Sequence, residues 1–289
     1  MNPGSEAVAG LRTRDDGHAV LSGPLLAASR RVDGLFAKWS ARWNAEEWRF
    51  PAVLPASQLD RLDYFRSFPH LVTFPVVLDD APENLARLVS GPALGDDGAV
   101  RLPATAPVRD VLTPAACYHF YVELAGARLD QARHLTTVAS CFRREKFYRP
   151  LFRQWNFTMR EVVCIGTLEE VASFLSSFRE LLTGYFTAAE LPVAWQEAAD
   201  PFFGGAANPK FIAQMVDPVK TEMVFSGELA IGSINSHRSF FGETFGITRG
   251  DAPAFSGCVA FGLERWLYAL LARFGPDPET WPAVLWEAA

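Results

Sequence analysis

Cys141–Glu161, CFRREKFYRPLFRQWNFTMRE, packs six basic side chains (Arg143, Arg144, Lys146, Arg149, Arg153, Arg160) into twenty-one positions. Charge alone would allow a solvated hairpin. Side-chain direction narrows the reading. Two strand-like stretches, roughly 137–145 and 155–165, flank a basic loop. On a strand, residues two apart share a face. Cys141, Arg143 and Glu145 therefore point one way, and Phe157, Met159, Glu161 and Val163 share a face of the return strand. If those faces coincide, one concave surface holds an Arg, two carboxylates and an aromatic ring. Arg grips phosphate with a bidentate fork, a ring can stack on a base, and a carboxylate can accept from an exocyclic amine. These are the parts of an adenine-nucleotide site.

Working outward, Thr167 and Glu170 form a capping box. Leu168, Val171, Phe174, Leu175, Phe178, Leu181, Leu182 and Tyr185 then make an apolar helical stripe. Strands are expected at 220–226 and 228–234. A last strand, 255–261, turns at Gly262 into a helix with Leu263, Trp266, Leu267, Leu270 and Leu271 inside, stopped by Gly275. Arg265, in the first turn of that helix, can reach an anion near its N-terminus.

Upstream, Leu25–Trp43 reads as a helix, and 46–58, EEWRFPAVLPASQ, as a short strand broken by Pro51 and Pro55. Thr113 and Pro114 suit the N-cap and first position of a helix running to Ala125 and stopped by Gly126, with Cys117 in its first turn. Residues 1–23 are expected to be loosely structured, and 24–289 to form one domain. Hairpin spacing in the middle of the chain, with helices around it, predicts an α+β fold built on a mainly antiparallel sheet.

The 289 residues carry a net charge of −6, with 49% hydrophobic and 21% charged residues, which excludes a disordered chain and argues against broad nucleic-acid binding. No apolar run reaches the ~18 residues of a membrane helix. Residues 1–23 lack an export-signal core, so a cytoplasmic location without membrane association is expected. There, four widely spaced cysteines (Cys117, Cys141, Cys164, Cys258) are buried thiols, ligands or catalytic groups sooner than disulfides.

The pairing of Phe142-Arg143-Arg144-Glu145 with Gly262-Leu263-Glu264-Arg265 resembles motifs 2 and 3 of class II aminoacyl-tRNA synthetases. The Pro55 strand end in FPAVLP resembles motif 1, the dimer element. Within that class LFRQWNFTMREVV is similar to the seryl branch. The runs ACYHFY (116–121), Gly232-Ser233-Ile234-Asn235-Ser236-His237 and Phe240-Phe241-Gly242 resemble the amino acid:[carrier protein] ligases. Those synthetase homologues load a carrier's phosphopantetheine instead of tRNA. The resemblance covers roughly residues 30–275.

It implies a class II catalytic domain, a homodimer, and ATP-dependent activation of a small amino acid such as glycine or alanine. It also implies transfer to a phosphopantetheinylated carrier protein. Arg143 and Arg265 would be catalytic, Arg143 on the α-phosphate and aminoacyl carboxylate, Arg265 on the γ-phosphate. Glu145 would accept from adenine and Phe157 would stack on it. Glu228 would help hold Mg²⁺, with the backbone through Leu229, Ala230 and Ile231 lining the nucleotide. Lys220, Arg153 and Trp155 would shape the ATP or substrate site, and Ser233, Asn235 and Glu161 the amino-acid site.

One Zn²⁺ per subunit would sit on Cys117, Glu161 and Cys258, leaving a coordination position for the substrate amine. A place near a helix N-terminus would ionise Cys117 more readily. Cys141 and Cys164 read as structural; His119 and His237 read either as structural or as groups that support the ligands from behind. Two other readings share the motifs: a truncated seryl-type enzyme charging RNA, and a non-catalytic paralogue with a binding role. The first lacks the N-terminal helical hairpin that grips tRNA. The second commonly loses the motif arginines, which are present here.

Overall fold

The computed structural model describes residues 8–14 and 18–287. Seven strands form the central sheet: β1 (Glu46–Glu47), β2 (Arg133–Phe142), β3 (Asn156–Gly166), β4 (Val193–Glu197), β5 (Lys220–Phe225), β6 (Leu229–Arg238) and β7 (Phe255–Gly262). Their spatial order is β1-β2-β3-β7-β6-β5-β4, with every pair antiparallel except β1 with β2. The α+β architecture is therefore the one that the hairpin spacing predicts.

Strand alternation gives the sheet two chemically distinct faces. Val162, Cys164, Val259 and Phe261 point to one, where α1 (Gly23–Ala41), α3 (Leu168–Ala188) and α5 (Leu263–Phe274) cover them. Phe36 stacks on Phe261 with ring centroids 4.2 Å apart, and Trp266 meets Phe36 edge-on at 4.9 Å. The capping box closes as expected: Thr167 Oγ1 accepts the Glu170 N–H, and Glu170 accepts the Thr167 N–H. Leu168, counted in the apolar stripe, is exposed instead, because the first helical residue projects beyond the sheet edge. Gly275 ends α5 with φ +95°, a conformation that glycine adopts without penalty.

Three expectations need correction. Within residues 1–23, Leu11–Thr13 pairs with Ala19–Leu21 as an antiparallel hairpin and Val8 is buried in the core; residues 1–7 and 15–17 lie outside the described part. The strand expected over 46–58 is two strands: Glu46–Glu47 joins the sheet edge, while Val53–Pro55 pairs with Asp110–Leu112. Finally, the helix expected from Thr113 to Ala125 is only α2 (Tyr118–Glu123), with Cys117 as its N-cap. Thr113 does not cap: its hydroxyl donates to Ala115 O at 3.0 Å, and its carbonyl accepts the Phe142 N–H. The peptide from 113 to 117 is spent on the sheet rather than on a helical turn.

Among the described residues, no helix is long and apolar enough to cross a membrane.

Arg160 fastens α1 and β1 to the underside of the sheet. Its guanidinium is 3% exposed and bonds Asp33 at 2.5 and 3.0 Å, Glu47 at 2.9 Å and Thr136 at 3.2 Å. Losing one partner of a buried ion pair is destabilising by about 3–5 kcal/mol. Asp33 keeps 26% side-chain exposure, which softens the penalty. Arg160→Met is expected to lower unfolding free energy by about 2–3 kcal/mol. Urea denaturation of the two proteins measures it, and an unchanged midpoint would remove Arg160 from this role.

Candidate active site

The other face of the sheet is the floor of a cavity of about 550 Å³. Cross-strand register lays its residues out in rows. Glu222, Ser233, Ala260, Glu161 and Thr137 follow one another across five strands, and Lys220, Asn235 and Cys258 form the neighbouring row. Cys141 pairs with Phe157 and Ala139 with Met159, so the two motif faces inferred from alternation do coincide.

At one end, Cys117, Glu161 and Cys258 bring one ligand atom each to within 4.8 Å of one another, all buried. Cys117 arrives from the start of α2, Glu161 from mid-β3 and Cys258 from β7. Ala116 N–H donates to Glu161 Oε1 at 2.9 Å, which ties the turn before α2 to the sheet. Burial, followed by the Cys258 charge, pushes Glu161 up to about 8. The Cys117 S–H lowers Cys258 by donating to it, helped by His237 and Asn235. The same hydrogen bond raises Cys117, with burial and Glu161 adding to it. The hydrogen bond to Cys258, then burial, thus act against the ionisation that a helix N-terminus would favour at Cys117.

Two soft sulfurs and a carboxylate, sharing one dry point, form a donor set chemically suited to Zn²⁺ and leave a fourth position open. Among the described residues, no other group of three or more His, Cys, Asp and Glu side chains gathers in this way.

Next to this cluster lie the guanidinium groups. Arg143 Nε donates to Pro114 O at 2.8 Å, and its carbon sits 5.4 Å from the Phe157 ring centre. Arg265 Nε donates to Phe152 O and its Nη1 to Ala230 O, both at 2.9 Å. Burial, joined by the charges of Arg153 and Arg143, lowers the Arg265 pKa to about 10. Guanidinium groups gathered at a recess form a standing site for a polyanion.

Glu145 lines the cavity but is engaged by Arg153 at 2.7 Å. Phe157, Ala230, Ile231, Ser233 and Asn235 also line it. Asn235 Nδ2 donates to Ser233 Oγ at 3.0 Å and to Cys258 Sγ at 3.3 Å. Lys220 is present, paired with Glu222 at 3.0 Å and Asp200 at 3.4 Å.

No protein-family model matches the chain. An amino acid–[acyl-carrier-protein] ligase 1 of Bradyrhizobium diazoefficiens is 35% identical over 256 residues, which cover 83% of this chain and 75% of that protein. The chain belongs to the amino acid–[acyl-carrier-protein] ligase family. Ligase 2 of the same organism is 34% identical and covers 83% and 73%. The type-2 serine–tRNA ligase of Methanopyrus kandleri is 26% identical, and this ligase-family chain spans 55% of its length.

Among solved structures, the M. kandleri seryl-tRNA synthetase in complex with tRNASec aligns with a TM-score of 0.77 at 20% identity, over 96% of this chain and 57% of that one. Prolyl-tRNA synthetase of Giardia lamblia, in complex with prolyl-adenylate, aligns with 0.66 at 15% identity, over 90% and 50%. These likenesses establish a class II synthetase fold.

Some sequence-assigned residues of the ligase lie elsewhere. Glu228 is 70% exposed beside the β5–β6 turn, 3.7 Å from Arg149, and does not line the cavity. Leu229 points into the core, so this segment reaches the site only beyond it, from Ala230 and Ile231. The turn explains both: Ser226 and Gly227 adopt positive φ, and the chain re-enters the sheet only at Leu229. Trp155 leaves the site to bond Thr73 Oγ1 at 3.0 Å.

Besides Glu145, Glu161 and Glu264, the carboxylates lining the cavity are Glu222 and Asp200. Burial alone would raise Asp200, but Lys220 and Gln214 hold it below the usual range. Glu222 was legible, since it shares a strand face with Lys220. Asp200, in an irregular stretch, and Tyr64, at the start of the four-residue helix Tyr64–Ser67, carried no sequence signal. Cys141 packs on Ala139 and Ala116, and Cys164 faces the helices. His119 stacks on Phe50 at 4.9 Å and is lowered to about 4 by burial.

Gly232 is required where β6 crosses the cavity floor. A Cβ there would lie 2.5 Å from the Ala260 carbonyl oxygen, part of a backbone that cannot yield. Gly232→Ala is expected to be destabilising by about 1–3 kcal/mol, as for an overpacked core. It should also weaken ATP binding, read by calorimetry. Unchanged stability and affinity would contradict this placement.

Proposed function

We propose that the chain activates a small amino acid with ATP and transfers it to the phosphopantetheine thiol of a carrier protein. The observation that carries this reading is the convergence of Cys117, Glu161 and Cys258 beside Arg143 in one cavity, in a chain of this ligase family. Cys117, Glu161 and Cys258 would hold Zn²⁺, which as a Lewis acid would take the neutral α-amino group of the substrate.

The chain's own residues do the rest. Arg143, fixed by Pro114 O, orients the substrate carboxylate and the α-phosphate. A carboxylate oxygen attacks the α-phosphorus, the bond to the β-phosphate oxygen breaks, and pyrophosphate leaves. Arg265 and Arg153 offset charge on the departing phosphates. Glu222, and Glu228 from the rim, are the carboxylates available to the Mg²⁺ that accompanies ATP. Phe157 offers a face for adenine, and Glu145 a carboxylate for its exocyclic amine once Arg153 turns to phosphate. In the second step the carrier thiol attacks the carbonyl carbon, the acyl–phosphate bond breaks with release of AMP, and the thiol proton passes to solvent.

Tyr64, Tyr118 and Phe241 form an aromatic wall beside Cys117, with Tyr118 6.1 Å from Tyr64 and 5.9 Å from Phe241. This wall supports a small substrate such as glycine or alanine. A carrier protein, not tRNA, is proposed as acceptor, because the ligase relatives are more similar than the serine–tRNA ligases. A cytoplasmic homodimer is proposed from the motif 1-like strand at Val53–Pro55. Exposed Phe74, Val76 and Val77 on the neighbouring segment support it.

ATP–pyrophosphate exchange across the amino acids tests the first step. It should run with a small amino acid and stop on chelation of the metal. Arg143→Ala should lower it by about 10²–10³, as loss of a transition-state charge donor does elsewhere. Loading of a phosphopantetheinylated carrier but not tRNA is expected. Exchange unaffected by the chelator, near-native exchange in Arg143→Ala, or charging of tRNA would each contradict the corresponding part.

A further inference from the structure

Behind Cys258 lies a hydrogen-bonded chain that the reaction above does not use. His237 Nε2 is 3.5 Å from Cys258 Sγ. On its far side, His237 Nδ1 is 3.0 Å from the Tyr121 hydroxyl and 3.2 Å from Ser256 Oγ. Tyr121 is fully buried and stacked on Phe241 at 3.7 Å, and Phe241 also meets the His237 ring edge-on at 4.9 Å. The imidazole is thus clamped in one orientation by two hydroxyls and an aromatic face.

The chemistry of the partners fixes its proton. A cysteine that ligates a metal is a thiolate, which only accepts. The nitrogen facing it must then carry hydrogen, so Nε2 is N–H and Nδ1 is the bare acceptor. The nearer hydroxyl, Tyr121 at 3.0 Å, donates to that single lone pair in this tautomer, with Ser256 Oγ beside it at 3.2 Å. Asn235 Nδ2 supplies a second donor to the same sulfur at 3.3 Å. Asn235 is the cross-strand partner of Cys258, and the register shift between Ser236 and Arg238 sets His237 beside the same sulfur.

We propose that His237, locked by Tyr121, is a positioning residue that aims an N–H at Cys258 and thereby strengthens the hold of the three-donor cluster on its metal. The proposal rests on the reading of Cys117, Glu161 and Cys258 as metal ligands. Groups that orient a ligand from behind are worth about 10–100-fold in metal affinity.

The test uses the full-length protein stripped of metal and titrated with Co²⁺. The sulfur-to-cobalt charge-transfer band and the rate of metal loss to a chelator are read beside thermal melting. His237→Leu should bind Co²⁺ about 10–100-fold more weakly, with a shifted charge-transfer band. His237→Gln, whose side-chain amide can present an N–H at the same place, should restore most of both. Tyr121→Phe keeps the ring stack and removes only the hydroxyl; it should weaken binding in the same direction. This variant serves as the test if His237→Leu fails to fold. Wild-type affinity and an unshifted band in the folded His237→Leu and Tyr121→Phe proteins would overturn the relay while leaving the metal site standing. Failure of the wild-type protein to bind Co²⁺ would overturn the metal reading and the relay with it.

Discussion

Glu161 is 2% exposed, accepts one backbone N–H at 2.9 Å from Ala116, and has two cysteine sulfurs for neighbours. An anionic group is expensive at such a place unless a cation shares it. Burial accordingly pushes its carboxyl up to about 8. The arrangement is supported from three directions at once: the turn before α2, the middle of β3, and β7. None of these segments could shift without separating the donors. A bound cation would satisfy this buried carboxyl, which is the physical basis for proposing a metal at the site.

The same logic extends along the cavity with the sign reversed. Arg143 and Arg265 are half-buried, and they donate to backbone carbonyls rather than to carboxylates. Carbonyl oxygens hold a guanidinium in place without neutralising it, so the positive field is preserved for a ligand. One end of the recess thus asks for a cation and an amine, the other for a chain of phosphates. Arg143 interacts electrostatically with both ends, with Glu161 and with Arg265, which suits it to the junction in the proposed chemistry.

Much of this was legible in the sequence, because strand alternation is a rigid rule. Once 141–145 and 157–163 are read as paired strands, the common face of Cys141, Phe157 and Glu161 follows. So do the capping box at Thr167 and the stop at Gly275, which depend on neighbours only a few residues away. The failures occur where a distant contact overrides a local signal. Thr113-Pro114 has the form of a helix start, but Pro114 O serves Arg143 and Ala116 N–H serves Glu161, so the helix waits until Tyr118. Glu228 carries the family resemblance, yet a turn at Ser226-Gly227 leaves it at the rim, while Glu222 occupies the floor. Asp200 belongs to an irregular stretch whose placement is set by Gln214 and Lys220, residues that no period links to it. The metal donors were beyond spacing altogether: they come from three elements, and only the family resemblance brought them together.

Zinc K-edge X-ray absorption on freshly purified protein tests the central claim most directly. The account predicts about one zinc per chain, with two sulfur scatterers near 2.3 Å and the remaining positions filled by oxygen or nitrogen at about 2.0–2.2 Å. It further predicts that adding the cognate amino acid changes the light-atom shell and leaves the sulfur shell intact. A protein isolated without metal that does not take it up, or a zinc with no sulfur neighbours, would contradict it.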